Sequence, residues 1–205
     1  MIKSNKVVLI GYGGHAISVI SAIKGMKLEI VGYIDALPKN NDPFTLDYLG
    51  NDDSYLSNPN SHAWHFCALG DNSIRQRLQE KYVEYGVHFI NVIHKSAFLE
   101  PSVKMGQGIF VGAMAYIGGF ASLADGAIVN NHVNIDHETK VGRYTHIAPN
   151  SCLTGNVNVG DRAFIGSGSC VIPNVTIGAD AIVGAGSIVV KNIEKGQLVY
   201  GNPAK

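Results

Sequence analysis

The chain has 205 residues, enough for one large domain or two small ones. Lys plus Arg and Asp plus Glu both number 16, so no net field steers it toward nucleic acid or anionic lipid, and neither partner is expected. The apolar run ahead of the glycines in MIKSNKVVLIGYGG is too short for a signal peptide or a membrane span, which points to a cytoplasmic protein; Cys67, Cys152 and Cys170 form no CxxC pair and imply neither a disulfide framework nor a zinc ribbon.

KVVLI at 6–10 has the continuous apolar character of a buried strand and runs into Gly11-Tyr12-Gly13-Gly14-His15, after which AISVISAIKG carries a helical pattern. EIVGYID at 29–35 reads as a second strand ending on Asp35, and PKNNDPF at 38–44 and NDDSYLSNPN at 51–60 are polar, turn-rich and predicted to be loops. HAWHFCAL at 62–69 predicts a third strand, followed by Gly70-Asp71-Asn72 and the amphipathic helix SIRQRLQEKYVEYG. Strand, glycine turn, helix and strand make a βαβ unit, so a small parallel sheet is expected. The GxGG turn with an acid closing the next strand carries two features of the dinucleotide fingerprint: amides at a helix N-terminus for phosphate and a carboxylate for ribose. The third glycine is missing, with His15 and Ala16 in its place, and the unit is too short for a two-lobed dinucleotide domain. One bound nucleotide is expected, not two.

From Ile93 to Val189 the grammar changes. Apolar residues recur every six positions over seventeen anchors without an insertion, and four residues after each anchor stands a small or β-branched residue, as at Ala115, Ala121, Thr139, Thr145, Ser151 and Ala163. A period of six drifts around a 3.6-residue turn, so a helix is excluded, and two inward positions per six residues describe a short strand with a bend. Eight anchors are followed by glycine, among them Gly118, Gly142, Gly160 and Gly178, which suits a corner where a side chain would crowd or φ must be unusual.

The repeat resembles the [LIV]-G-x-x-x-x units of the hexapeptide-repeat acyltransferases. That resemblance implies a left-handed parallel β-helix of three units per coil, about five to six coils spaced by about 4.8 Å; a scaffold without chemistry would show the same repeat. Taken together, GYGGHA, GYID, GDN with Arg75, the hexapeptide run and the closing YGNPAK resemble, in order and spacing, the bacterial sugar O- and N-acetyltransferases of bacillosamine, perosamine and sialic acid pathways. The implied architecture is a Rossmann-like α/β domain over residues 1–92 that holds a nucleotide sugar, followed by an all-β left-handed β-helix over residues 93–205 that holds acetyl-CoA between subunits of a homotrimer. The implied reaction is acetyl transfer from acetyl-CoA to the amino group of a nucleotide sugar, a UDP-4-amino-4,6-dideoxy sugar in the first instance. O-acetylation of sialic acid and a catalytically silent nucleotide-sugar-binding subunit are the alternatives.

By the same resemblance His137 of IDHE is the general base and Glu138 its acidic partner. His146 of THIAP contacts the acetyl group, Gly155 offers an amide near the thioester carbonyl, and Ser167 and Ala185 line the pantetheine arm. Gly13, Gly14, His15 and Asp35 hold the nucleotide sugar, with Asn130 on the sugar side. After His137-Glu138 this chain has Thr139 where many relatives carry cysteine, a change expected to alter packing and not chemistry.

Counting from the anchors places His137, Glu138 and His146 on outward or corner positions, so these histidines are not core filler. They could still be plain surface residues. A metal reading is also open: His132 and His137 have the H-x4-H spacing, and HETKVG resembles the repeat in which γ-class carbonic anhydrases bind zinc. Catalytic zinc needs three protein ligands, and the third candidate, His94, lies near the edge of the repeat, so no metal is expected. A histidine titrating near neutrality, with a carboxylate to fix its ring, suits proton removal from an attacking amine.

Overall fold

The computed structural model describes residues 4–205. The chain opens with β1 (Lys6–Ile10), α1 (Gly14–Gly25), β2 (Glu29–Ile34), α2 (Asp52–Leu56), β3 (Trp64–Cys67) and α3 (Asn72–Glu84). The three strands form a parallel sheet in the order β2-β1-β3. Both faces of β1 are buried, Val7 and Leu9 against α1 and Val8 and Ile10 against Tyr82 and Leu56 on the other side, which explains its unbroken apolar run. One expectation is corrected here. Residues 51–60, read as a loop, contain α2: the Asn51 side chain accepts the Ser54 N–H, and Tyr55 and Leu56 turn inward to the sheet. The polar composition belongs to its exposed side.

From β4 (Val92–Ile93) to β21 (Leu198–Val199) the chain is a parallel β-helix of two-residue strands, and each strand pairs in register with the one eighteen residues on where the coils are regular. Three faces result. The first includes His146–Ile147, the second Asn134–Ile135 and the third Lys140–Val141. The anchors Ile117, Ile135, Ile147, Ile165, Val171 and Val189 are buried in one continuous core with the small residues four positions on. Where those residues are hydroxylic, the hydroxyl donates to a carbonyl: Thr139 to Thr154, Thr145 to Gly160, Ser151 to Gly166 and Ser169 to Gly184, each fifteen residues later, and Ser187 back to Gly184. Each inward polar group is thereby satisfied.

The glycine after an anchor serves close approach, not unusual backbone. A Cβ on Gly160 would stand 2.4 Å from the Ala179 nitrogen of the next coil. The left-handed conformation falls two residues further on, and mostly on residues other than glycine: Met114, Phe120, His132, Glu138, Tyr144, Asn150 and Asn156 all have φ between 56° and 60°.

The α/β part sits on the outward side of the first face. Phe110 and Ile128 are buried there in the same cluster as Val19, Ile20 and Phe66. Arg75 of α3 reaches across to the Gly126 and Tyr144 carbonyls, and the Asn72 amide donates to the Arg162 and Ala163 carbonyls.

Candidate active site

The structure places the candidate residues in three groups. At the corner between the second and third faces, His137 is exposed and its Nδ1 lies 3.1 Å from Glu138 Oε2. Glu138 reaches that position through its left-handed backbone, φ 58°, which folds the side chain back toward the preceding residue. With Nδ1–H donated to the carboxylate, Nε2 carries the lone pair. Gly155 stands against the other edge of the same ring: a Cβ there would lie 2.6 Å from both Cε1 and Nε2 of His137. A histidine ring held by a carboxylate and a side-chain-free backbone against its Nε2 are therefore on adjacent coils.

The second group, Ser167 and Ala185, lies one coil apart at the corner between the first and second faces, both exposed, with the Ser167 carbonyl accepting the Gly186 N–H at 2.8 Å. His132 is at this corner too, at the opposite end of a strand of the second face from His137. Among the described residues no three His, Cys, Asp or Glu side chains gather in a group that could hold a metal ion.

The third group surrounds the seam between the α/β part and the first face. Gly13 and Gly14 open α1, and a Cβ on either would meet open space. His15 packs edge-on against Phe110, centroids 4.9 Å apart, and lies 6.3 Å from the ring of His146. His146 points outward from the β-helix, as counted, but the α/β part covers it: Nδ1 faces the Gly70 carbonyl at 3.3 Å, Nε2 faces the Asn130 amide at 3.3 Å, and Phe164 packs against the ring. His146 is therefore neither core filler nor a plain surface residue. Desolvation, with the nearby Arg75 guanidinium, holds His146 down to about 4; desolvation, His146 and Arg75 hold His15 down to about 3. Both imidazoles are neutral at pH 7. His15 Nε2 is buried and has no partner, a donor or acceptor left for a ligand.

Asp35, read as the last residue of the strand, directly follows β2, and its carboxylate accepts the Tyr12 and Ala36 N–H groups and pairs with Lys39. Beside it Asp42 accepts the Tyr12 hydroxyl and the Phe44 and Leu46 N–H groups, fixing the 38–46 segment over the glycine turn. Lys39, Asp42 and Arg75 were not singled out from sequence as site residues. The first two lie in a stretch read as loop, and the third gave only the signal of an arginine three residues after an asparagine at a helix start.

In one chain His137 and the glycine turn at Gly13 do not come together. His137 occupies the corner opposite the face that His146 and the α/β part share.

A glycine-turn α/β part laid on a β-helix of six-residue repeats is a two-part architecture. Residues 6–82 match the PglD N-terminal domain family, and residues 156–191 match the bacterial transferase hexapeptide (six repeats) family. PerB from Caulobacter crescentus, whose structure holds CoA and GDP-perosamine, is 39% identical over 98% of this chain and 96% of that one, with a TM-score of 0.92. The acetyltransferase domain of PglB from Neisseria gonorrhoeae, in complex with acetyl coenzyme A, is 30% identical over 98% of each chain, with a TM-score of 0.93. GDP-perosamine N-acetyltransferase of Escherichia coli O157:H7 is 30% identical over 54% of this chain. The chain spans 24%, 16% and 50% of the lengths of three curated relatives it matches. It belongs to the bacterial sugar acetyltransferases of the hexapeptide-repeat superfamily, and its β-helix is the left-handed one of that fold.

Proposed function

We propose that the protein transfers an acetyl group from acetyl-CoA to the amino group of a nucleotide-linked amino sugar, with His137 as general base. The observation that carries this reading is the Glu138–His137–Gly155 arrangement. The amine lone pair attacks the thioester carbonyl carbon, His137 Nε2 takes the ammonium proton as the C–N bond forms, and the Gly155 amide meets the developing oxyanion. Collapse breaks the C–S bond, and the proton passes from His137 to the departing CoA sulfur. Glu138 holds the ring and stabilises the transient imidazolium. No covalent enzyme intermediate is needed.

The α/β part, residues 1–92, holds the nucleotide sugar through Gly13, Gly14, His15 and Asp35, with Asn130 at the sugar end and His146, the contact to the acetyl group, beside Asn130. The β-helix, residues 93–205, holds the coenzyme along Ser167 and Ala185. These groups meet in a homotrimer. The second face turns outward the stacked pair Phe98 and Tyr116, centroids 5.9 Å apart, then Asn134, Cys152, Cys170 and Ile188, whereas the third face carries Lys104, Ser122, Lys140, Asn158 and Thr176. Threefold packing on the apolar second face puts the His137 corner of one copy beside the Ser167–Ala185 corner, and the sugar crevice, of the next. Light scattering at micromolar concentration is expected to give three times the 21.9 kDa chain mass; a monomer overturns the shared site.

The sequence resemblance puts the acceptor at a UDP-linked 4-amino-4,6-dideoxy sugar. A GDP-linked amino sugar is the second reading, favoured by the names of PerB's ligand and of the Escherichia coli relative. The test is release of free CoA thiol on mixing the protein with acetyl-CoA and, in parallel, UDP-linked amino sugars, GDP-linked amino sugars or sialic acid. Thiol release with an amino sugar supports the proposal and the faster nucleotide assigns the base; release with sialic acid alone replaces it with O-acetylation, and binding without release leaves a silent subunit.

A further inference from the structure

Arg75 is wholly buried, and its donors are spent on uncharged oxygens. Nε donates to the Gly126 carbonyl at 2.8 Å, one terminal nitrogen to the Leu69 and Gly70 carbonyls at 3.1 and 3.2 Å, and the other to Asn72 Oδ1 at 2.9 Å and the Tyr144 carbonyl at 2.7 Å. Burying a cation on carbonyl dipoles alone is costly, and a fold that needed only a clip between two parts could use apolar packing. Its position suggests a second use.

The Gly70 carbonyl that Arg75 holds also faces His146 Nδ1. A carbonyl oxygen can only accept, so Nδ1 carries the hydrogen and Nε2 the lone pair. Nε2 faces the Asn130 Nδ2 donor, while Asn130 Oδ1 accepts the Asn131 N–H at 2.8 Å. Both ends of the amide are thus assigned, and one Asn130 N–H remains free of this relay. A protonated His146 would set a donor against a donor and turn the amide over.

Resting on the proposed nucleotide-sugar acceptor, we propose that Arg75 is a positioning residue: through the Gly70 carbonyl it holds His146 as the neutral Nδ1–H tautomer, and through His146 it fixes the Asn130 amide with one N–H left for an oxygen of the sugar. The charged or titratable groups around His146 are Arg75 on α3 and His15 on α1, with Asp71 at the start of α3 acting on Arg75. Burial and the guanidinium both oppose protonation of His146, in line with the relay.

The experiment is nitrogen NMR of the protein labelled at histidine, for the wild type, Arg75→Lys and Asn130→Asp, with KM measured for the acceptor and for acetyl-CoA. In the wild type His146 is expected as the neutral Nδ1–H tautomer from pH 5 to 8. Arg75→Lys loses the fork that shares Gly70, so the Nε2–H tautomer should appear and the acceptor KM rise about tenfold, more at pH 6 than at pH 8, with the acetyl-CoA KM unmoved. Asn130→Asp can only accept at Nε2 and should raise the His146 pKa. A wild-type His146 that is Nε2–H or charged at pH 7 overturns the proposal, as does a folded Arg75→Lys protein with unchanged tautomer and acceptor KM. Should Arg75→Lys not fold, the wild-type and Asn130→Asp spectra decide. Absence of turnover with every nucleotide sugar would sink the functional reading and the sugar clause with it, while the tautomer still judges the relay.

Discussion

Two histidines nine residues apart in sequence live under opposite conditions. His137 stands on a corner of the β-helix, exposed and beside a carboxylate, whereas His146 is covered by the α/β part and kept neutral by desolvation and Arg75. An exposed imidazole is open to an incoming amine. A buried one with both nitrogens committed can only orient its neighbours. Under the proposed mechanism, proton transfer belongs to the β-helix corner and binding to the seam between the two parts.

The largest effect that tests this contrast is on turnover. His137→Ala should lower kcat on the order of a hundredfold or more with the oligomer intact, while His146→Ala should act chiefly on KM. Equal losses of kcat would erase the distinction. Gly155→Ala sharpens it, because the new Cβ would fall 2.6 Å from His137 Nε2 and must displace the ring. A fall in kcat of about tenfold or more is expected from steady-state rates, since misplacing a base by an ångström is enough to cost that much.

Stability against pH separates the parts in another way. His15, His65 and His146 have folded pKa values lowered to about 3, 4 and 4, against 6.5 for a free imidazole. Between 6.5 and 4 the unfolded chain binds protons that the folded chain does not, so stability rises with pH there and is lost as pH falls below 6.5. Each buried imidazole should withdraw up to about 2 kcal/mol by about pH 5. Thermal melts at pH 7 and 5 should show the drop, and His65→Gln or His146→Gln should flatten it; a melt independent of pH over this range would contradict the burial.

A selective effect on binding is expected at the glycine turn. Gly13 has φ −97° and open space around its Cβ position, so Gly13→Val should leave the melting temperature nearly unchanged. Blocking the approach to the α1 amides should raise the nucleotide-sugar KM about tenfold or more and spare the acetyl-CoA KM. The smallest change is Thr139→Cys. It exchanges a buried hydroxyl that donates to the Thr154 carbonyl and accepts the Val157 N–H for a weaker thiol, at about 1 kcal/mol in denaturant unfolding and with kcat unaltered.

The β-helix was legible because its neighbours lie at a fixed sequence offset. Residue 135 must stack on 117 and 153 whenever the coil closes after eighteen residues, so periodicity alone assigns the core anchors and the outward place of His137. The strands and two longer helices of the α/β part were legible for a similar local reason, as apolar runs and caps. These elements follow from the chain alone, because each depends on residues close in sequence or at one constant spacing. Which outward residues are covered depends on docking between distant segments, and no local pattern encodes it. It takes the docked fold to turn Tyr55 and Leu56 of α2 inward, to cover His146, to link Gly70 to Gly126 and Tyr144 through Arg75, and to set the candidate groups at separate corners of one chain.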